Sequence, residues 1–256
     1  MPCPFLNSTN LASGISAFRG NSHWRRDFHN HFYANVTNAL HQPAGLGGNS
    51  VGGYVTSQGV MSWNSGLHSG GSLWDDMLHE LTFWKALRPF PTARFAVMPS
   101  ALQNAFSALT PGLTGRQFPH ALPTSHPLRT LFDSAQILKP TAKHSAVFPS
   151  KGCHMLAPWE FPIWDNEFAG NTSRSRGRMI EALDDWIELP SSERKSIGSR
   201  LTKPDYWCYR EVLLLAWDTA PAALKSQLQG QLNRAIGSRV WAHYPYRTKI
   251  PELCLA

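Results

Sequence analysis

The chain has 256 residues, 42% of them apolar and 16% charged, a balance that excludes a disordered tail or a coiled coil. Lys and Arg number 24 against 17 Asp and Glu, and the net charge of +7 suits a polyanionic partner such as nucleic acid. No apolar run is long enough for an ordinary membrane-spanning helix, and Cys3, Cys153, Cys208 and Cys254 lie too far apart to form a Cys-x-x-Cys metal knuckle.

Residues 1–22 are rich in Ser, Asn and Gly and read as a loop-like leader. They lack a basic stretch followed by an apolar run, so no signal peptide is expected, and a cytoplasmic location with reduced thiols is. From Asp27 to Leu40, Phe28, Phe32, Val36 and Leu40 recur at a spacing of four and predict a helix closed by Gln42-Pro43. Residues 44–72 form a long Gly/Ser/Asn segment, a length of irregular chain that is usually functional or mobile. Ser72 reads as an N-cap for a helix carrying Met77, Leu78, Leu81, Trp84 and Leu87 that stops before Pro89. Residues 88–128 are dense in proline, with a short helix from Ala101 to Leu109.

The remaining chain is more regular. Leu128–Leu138 predicts a short helix ended by Lys139-Pro140. Arg176–Leu189 has an amphipathic pattern, Tyr206–Trp217 is apolar nearly all round and predicts a central buried helix, and Pro221–Ile236 repeats Leu224, Leu228, Leu232 and Ile236 at a spacing of four. There is no internal repeat, heptad pattern or alternating strand series. The expected fold is mostly α with long Gly/Pro-rich loops, built as a single globular unit. Within it, 1–22 is the leader, 23–128 an N-terminal helical part with the Gly-rich insertion, and 129–256 a second helical part.

Several short motifs fail on inspection. His29-Asn30-His31 spells the name of a metal-finger nuclease but sits on a helix that buries Phe28 and Phe32. Gly45-Leu46-Gly47-Gly48 has neither the preceding strand nor the following Lys-Ser/Thr of a phosphate loop. No Gly-x-Ser-x-Gly elbow is present. The pairs His23/Asp27 and Asp75/His79 have helical spacing, which is far commoner as a surface pair than as half a metal site. No metal and no cofactor is expected.

Residues 150–168 carry chemistry. Lys151 stands on a short helical turn, a proline-broken loop follows, and Asp165 comes after the run Pro162-Ile163-Trp164. Aromatic and proline surroundings desolvate both groups, which lowers the pKa of a Lys and raises that of an Asp, while mutual contact acts the opposite way. A neutral Lys is a nucleophile, and a carboxylate beside it is a base or a cation stabiliser.

The stretch Pro158-Trp159-Glu160-Phe161-Pro162-Ile163-Trp164-Asp165 resembles the loop of helix-hairpin-helix DNA glycosylases of the 8-oxoguanine glycosylase-like branch, and Lys151 takes the place of their catalytic Lys, which opens a helix. The likeness covers about 20 residues. In place of the family's Pro-x-Gly-x-Gly hairpin stands the segment from Leu138 to Pro149.

The resemblance implies a helix-hairpin-helix glycosylase-like body acting on double-stranded DNA that carries a modified base, with no membrane and no obligate protein partner. It makes Lys151 and Asp165 catalytic. Lys139, Lys143, His144, Arg174, Arg176 and Arg178 would hold DNA phosphates, and Trp164, His154 and Trp63 would line the base pocket. Removal of glucosylated hydroxymethylcytosine from phage DNA, in antiviral defence, is the sharper form of this reading, and excision of 8-oxoguanine is its rival. A non-catalytic basic DNA-binding module, in which Lys151 and Asp165 are structural, and a protein-interaction or toxin component using the Pro-rich middle are the other classes.

Overall fold

In the computed structural model, the structure describes residues 2–19, 104–105, 117–136, 146–165, 173–202, 205–236 and 245–256. Among them are eight helices and no strand, as a mostly α fold requires: α1 (Ser8–Arg19), α2 (Pro127–Gln136), α3 (Val147–Leu156), α4 (Ser173–Asp185), α5 (Ser191–Leu201), α6 (Tyr206–Thr219), α7 (Ala222–Ile236) and α8 (Tyr246–Leu255). The helices expected at 27–40 and after Ser72, and the Gly-rich segment 44–72, lie outside the described residues. Of the expected Ala101–Leu109 helix only Asn104 and Ala105 are described, and both are helical.

Read from sequence as one unit with no evident linker, the chain divides by its contacts into two compact units. One comprises Met1–Arg26, Pro119–Ala121 and Trp159–Ala256, the other Asp27–Phe118 and Leu122–Pro158.

In the first unit the expected loop-like leader is instead a helix, α1. The Ser and Asn residues that suggested a loop supply its cap and its outer face. Asn7 Oδ1 accepts from Asn10 N at 2.9 Å, the bond of an N-cap, and Asn7 Nδ2 donates to Pro4 O. Leu11, Gly14 and Ile15 form the buried stripe, a three-and-four spacing too sparse to stand out in so polar a stretch. Gly14 lets α1 approach α8 closely. A Cβ built there would collide with the Leu253 carbonyl oxygen.

α8 is the hub of this unit and packs against α1, α4, α6 and α7. It was not expected from sequence, because Pro251 interrupts it and Arg247, Lys249 and Glu252 make it polar. All of its residues from Arg247 to Leu255 are nonetheless buried. α6 is the central buried helix that the sequence predicts. Asp205 caps it by accepting from Trp207 N at 2.9 Å, and Cys208 through Trp217 are buried without a break. α7 matches its expected span and buries Leu228 and Leu232. The expected Arg176–Leu189 helix is α4, which begins at Ser173 and ends at Asp185. Trp186 and Leu189 then fill the core from a turn, and Ile187 points outward. α5 was unforeseen. Its only buried residues are Ile197 and Leu201, too few to give a periodic signal.

In the second unit, α2 confirms the short helix expected at 128–138. His126 Nδ1 accepts from Leu128 N at 3.1 Å, and Pro127 occupies the first helical position. Leu128, Leu131, Phe132 and Ala135 are buried, and α2 packs on α3. Pro149 sits in the first turn of α3, where its missing N–H costs no helical bond.

Candidate functional site

The proline-broken loop that ends at Asp165 is fixed by side chains rather than by secondary structure. Its backbone groups are buried and must find partners, and in the first unit α6 and α8 provide them. Tyr206, Tyr209 and Arg210 share one face of α6 at i, i+3 and i+4. Arg210 Nε donates to Glu160 O at 2.8 Å, Tyr206 Oη to Pro162 O at 3.0 Å and Tyr209 Oη to Ile163 O at 3.1 Å. From α8, Glu252 Oε1 accepts from Ile163 N at 2.9 Å.

Glu160 anchors the start of this segment. Its carboxylate accepts from Arg210 Nη2 at 2.5 Å and from Arg247 Nη1 at 2.5 Å, and Glu160 and Arg210 are wholly buried. Arg247 also grips Asp218 of α6 through Nε at 3.0 Å and Nη2 at 2.7 Å, while Arg210 Nη1 donates to His120 O at 2.7 Å. Each guanidinium thus meets several acceptors, the condition under which burying a charge is tolerable. Burial opposes the charge on both arginines. On Arg210 it wins and lowers the pKa, while on Arg247 Asp218 and Glu160 together outweigh it and hold the pKa above its ordinary value.

The aromatic residues complete the fit. Phe161 is buried, and Trp164 meets the edges of Tyr206 and Tyr209 at centroid distances of 6.2 and 5.2 Å. Burial, with Glu252 nearby, pushes the Tyr209 phenol well up, so it stays protonated and donates. Burial raises Glu252 as well, although Lys249 Nζ lies 3.0 Å from its Oε2. Trp164 is therefore an inward wall, and Asp165, the next residue, is half-exposed.

The second unit holds Lys151. The resemblance puts the Lys at the opening of a helix, but here it is the fifth residue of α3 and it is 7% exposed. Ser150, Cys153 and His154 around it are wholly buried. Burial, with Asp133 adding to it, pushes the Cys153 thiol well above its ordinary value, so it is a packing group and not a nucleophile.

The arginines after Asp165 divide by role. Arg174 is exposed and Arg176 half-exposed on the first turn of α4. Arg178 Nη1 donates to Cys254 O at 3.2 Å, so it satisfies the carbonyl end of α8, and desolvation and Arg174 lower its pKa. Lys139, Lys143, His144 and Trp63 lie outside the described residues. Among the described residues no cluster of His, Cys, Asp or Glu could hold a metal ion, and no helix is long and apolar enough to cross a membrane.

No protein-family model, curated protein or solved structure matches the chain. The residues themselves therefore carry the functional argument.

Sequence reasoning singled out the two ends of the 151–165 segment and missed what holds it. Glu160, Tyr206, Tyr209, Arg210, Arg247 and Glu252 were not among its site residues. One signal was present. A helix apolar nearly all round that contains Tyr206, Tyr209 and Arg210 must bring partners to those polar groups. The partners themselves were invisible, because they are backbone carbonyls of a loop more than 40 positions upstream. Chemically, a carboxylate carried on so fixed a backbone can stabilise a developing cation or take a proton with little reorganisation.

Proposed function

We propose that the protein is a DNA glycosylase that flips a modified base out of the duplex and cleaves its glycosidic bond, leaving an abasic site. The observation that carries this reading is the immobilised loop ending in half-exposed Asp165, in the segment whose residues resemble the glycosylase catalytic loop. Flipping is required because the bond is hidden in the base stack. Asp165, as a carboxylate, stabilises the oxocarbenium-like transition state. Lys151 attacks C1′ through its amine nitrogen; the bond from C1′ to the base breaks, and the base leaves with the bonding electrons and takes up the proton that the nitrogen loses. The aminal opens to a Schiff base, and water hydrolyses it to the abasic sugar and free Lys151. Arg174 and Arg176 hold phosphates. The preferred substrate is glucosylated hydroxymethylcytosine in phage DNA.

The burial of the loop also favours a second reading, a non-catalytic DNA-binding module in which the same contacts serve stability alone. Base release decides between them. The protein is incubated with T-even phage DNA, unmodified DNA and an 8-oxoguanine duplex, and freed bases are read by mass spectrometry. Release from phage DNA is expected to fall by about 10³-fold in Lys151→Ala and in Asp165→Ala, with the fold intact by circular dichroism. Release undiminished in both variants overturns the assignment. Tight binding without release from any substrate moves the protein to the binding-module class.

A further inference from the structure

The peptide of Ile163 is held from both sides, two residues before Asp165. Its N–H is bound by Glu252 of α8 at 2.9 Å, and its C=O by the Tyr209 hydroxyl of α6 at 3.1 Å. The neighbouring carbonyl of Pro162 is bound by Tyr206 at 3.0 Å. Trp164 is clamped edge-on by the rings of the same two tyrosines. Successive side chains of an extended segment point to opposite sides, so fixing Trp164 inward fixes the direction in which Asp165 leaves the backbone. Burial alone would be met by any acceptor or donor, such as a water. Here three side chains from two helices address consecutive backbone groups, and two of them also grip the intervening aromatic ring.

We infer that Tyr209, Tyr206 and Glu252 are positioning residues for Asp165: they set its carboxylate against the reacting sugar without touching substrate. The inference rests on the glycosylase reading. It goes beyond the loop motif, because none of the three residues belongs to that motif.

Tyr209→Phe is the decisive variant, since it removes one hydroxyl and keeps the ring against Trp164. Tyr206→Phe is the second. Three quantities are measured on the full chain with T-even phage DNA: the single-turnover rate of base release, the DNA dissociation constant, and hydrogen exchange at the amides of Trp164 and Asp165. A displacement of about 1 Å at a reacting group costs up to about 10²-fold in rate. The expected result for Tyr209→Phe is therefore a release rate lowered about 10-fold or more, a dissociation constant within about twofold of wild type, and exchange at Trp164 and Asp165 about 10-fold faster. Wild-type release with an unchanged rate in both variants overturns the inference and leaves the glycosylase reading standing. A loss of rate matched by an equal loss of DNA affinity also overturns it, because the tyrosines would then serve binding. Wild-type protein that releases no base overturns the glycosylase reading and takes the positioning role with it.

Discussion

α6 and α8 lie side by side in the first unit, are buried along nearly their whole lengths, and reach that state by opposite chemistry. α6 presents Val212, Leu213, Leu214 and Leu215 in succession, a run that water rejects, and keeps its buried charge to one short stretch where Glu160 meets Arg210. α8 carries Arg247, Lys249 and Glu252, and its burial depends on partners for them: Glu160 and Asp218 for Arg247 and the Ile163 amide for Glu252, all from outside the helix, with Lys249 of α8 itself pairing Glu252. An apolar run such as Val212–Leu215 needs only a core. A charged helix needs particular residues in particular places, so it specifies an arrangement at a higher cost of failure.

That contrast is sharpest in truncation. Glu160→Ala leaves Arg210 and Arg247 facing each other in a dry interior, and removing one partner of a buried ion pair costs about 3–5 kcal/mol. Leu214→Ala in α6 removes apolar volume from a fully buried site, at about 2–5 kcal/mol depending on how far the site collapses. Urea unfolding should place Glu160→Ala at or above Leu214→Ala. A clearly smaller loss for Glu160→Ala would break the comparison, since the buried charges would then be tolerating solvent.

A smaller effect follows from Glu252. Burial raises its pKa above 4.5, so over the window from 4.5 up to its folded value the native protein keeps a proton that the unfolded chain has released. Stability contributed by this group is therefore present below the window and is lost as pH rises through it. Chemical denaturation between pH 4 and 8 should show that decline, and Glu252→Gln should flatten it. An identical slope in the variant would mean that the carboxyl is hydrated.

The smallest effect concerns the thiols, one on each helix. Burial pushes Cys208 of α6 and Cys254 of α8 each up to about 12, so at pH 8 only about one thiol in 10⁴ is ionised. If α8 is held as firmly by its charges as α6 is by its leucines, the two should react with a disulfide reagent at the same slow rate in native buffer. Faster labelling of Cys254, read by mass spectrometry of peptides, would show that α8 opens first.

The same contrast explains what could be read in advance. α6 and α7 were legible because apolar spacing dictates them, and α2 because a proline marks its start and Lys139-Pro140 follows it. α8 was not, because Pro251 and its charges mark a loop unless Glu160 is known to face Arg247. α1 was misread because its Ser and Asn residues are the cap and the wet face of a helix whose buried stripe includes Gly14. Of the candidate site, the local motif from Pro158 to Asp165 was legible as chemistry. Its supports were not, for they come from residues 40 to 90 positions downstream, and no local pattern encodes such a pairing.

The close passage of α1 over α8 at Gly14 and Leu253 has a consequence for how the molecule is made. Cys254 of α8 reaches Asn7, 247 positions away, just before α1, and Gln227 of α7 donates to Ser8 of α1. Contacts of such separation carry a loop-closure cost, because the chain between them must be brought together. On a ribosome the earlier helices emerge long before α8, whose Glu252 and Arg247 complete the anchoring of the Asp165 loop. Until residue 253 clears the exit tunnel, α1 lacks the α8 backbone it closes on at Gly14, and the loop lacks the supports that Arg247 and Glu252 supply, so its anchoring is completed only once α8 has been made.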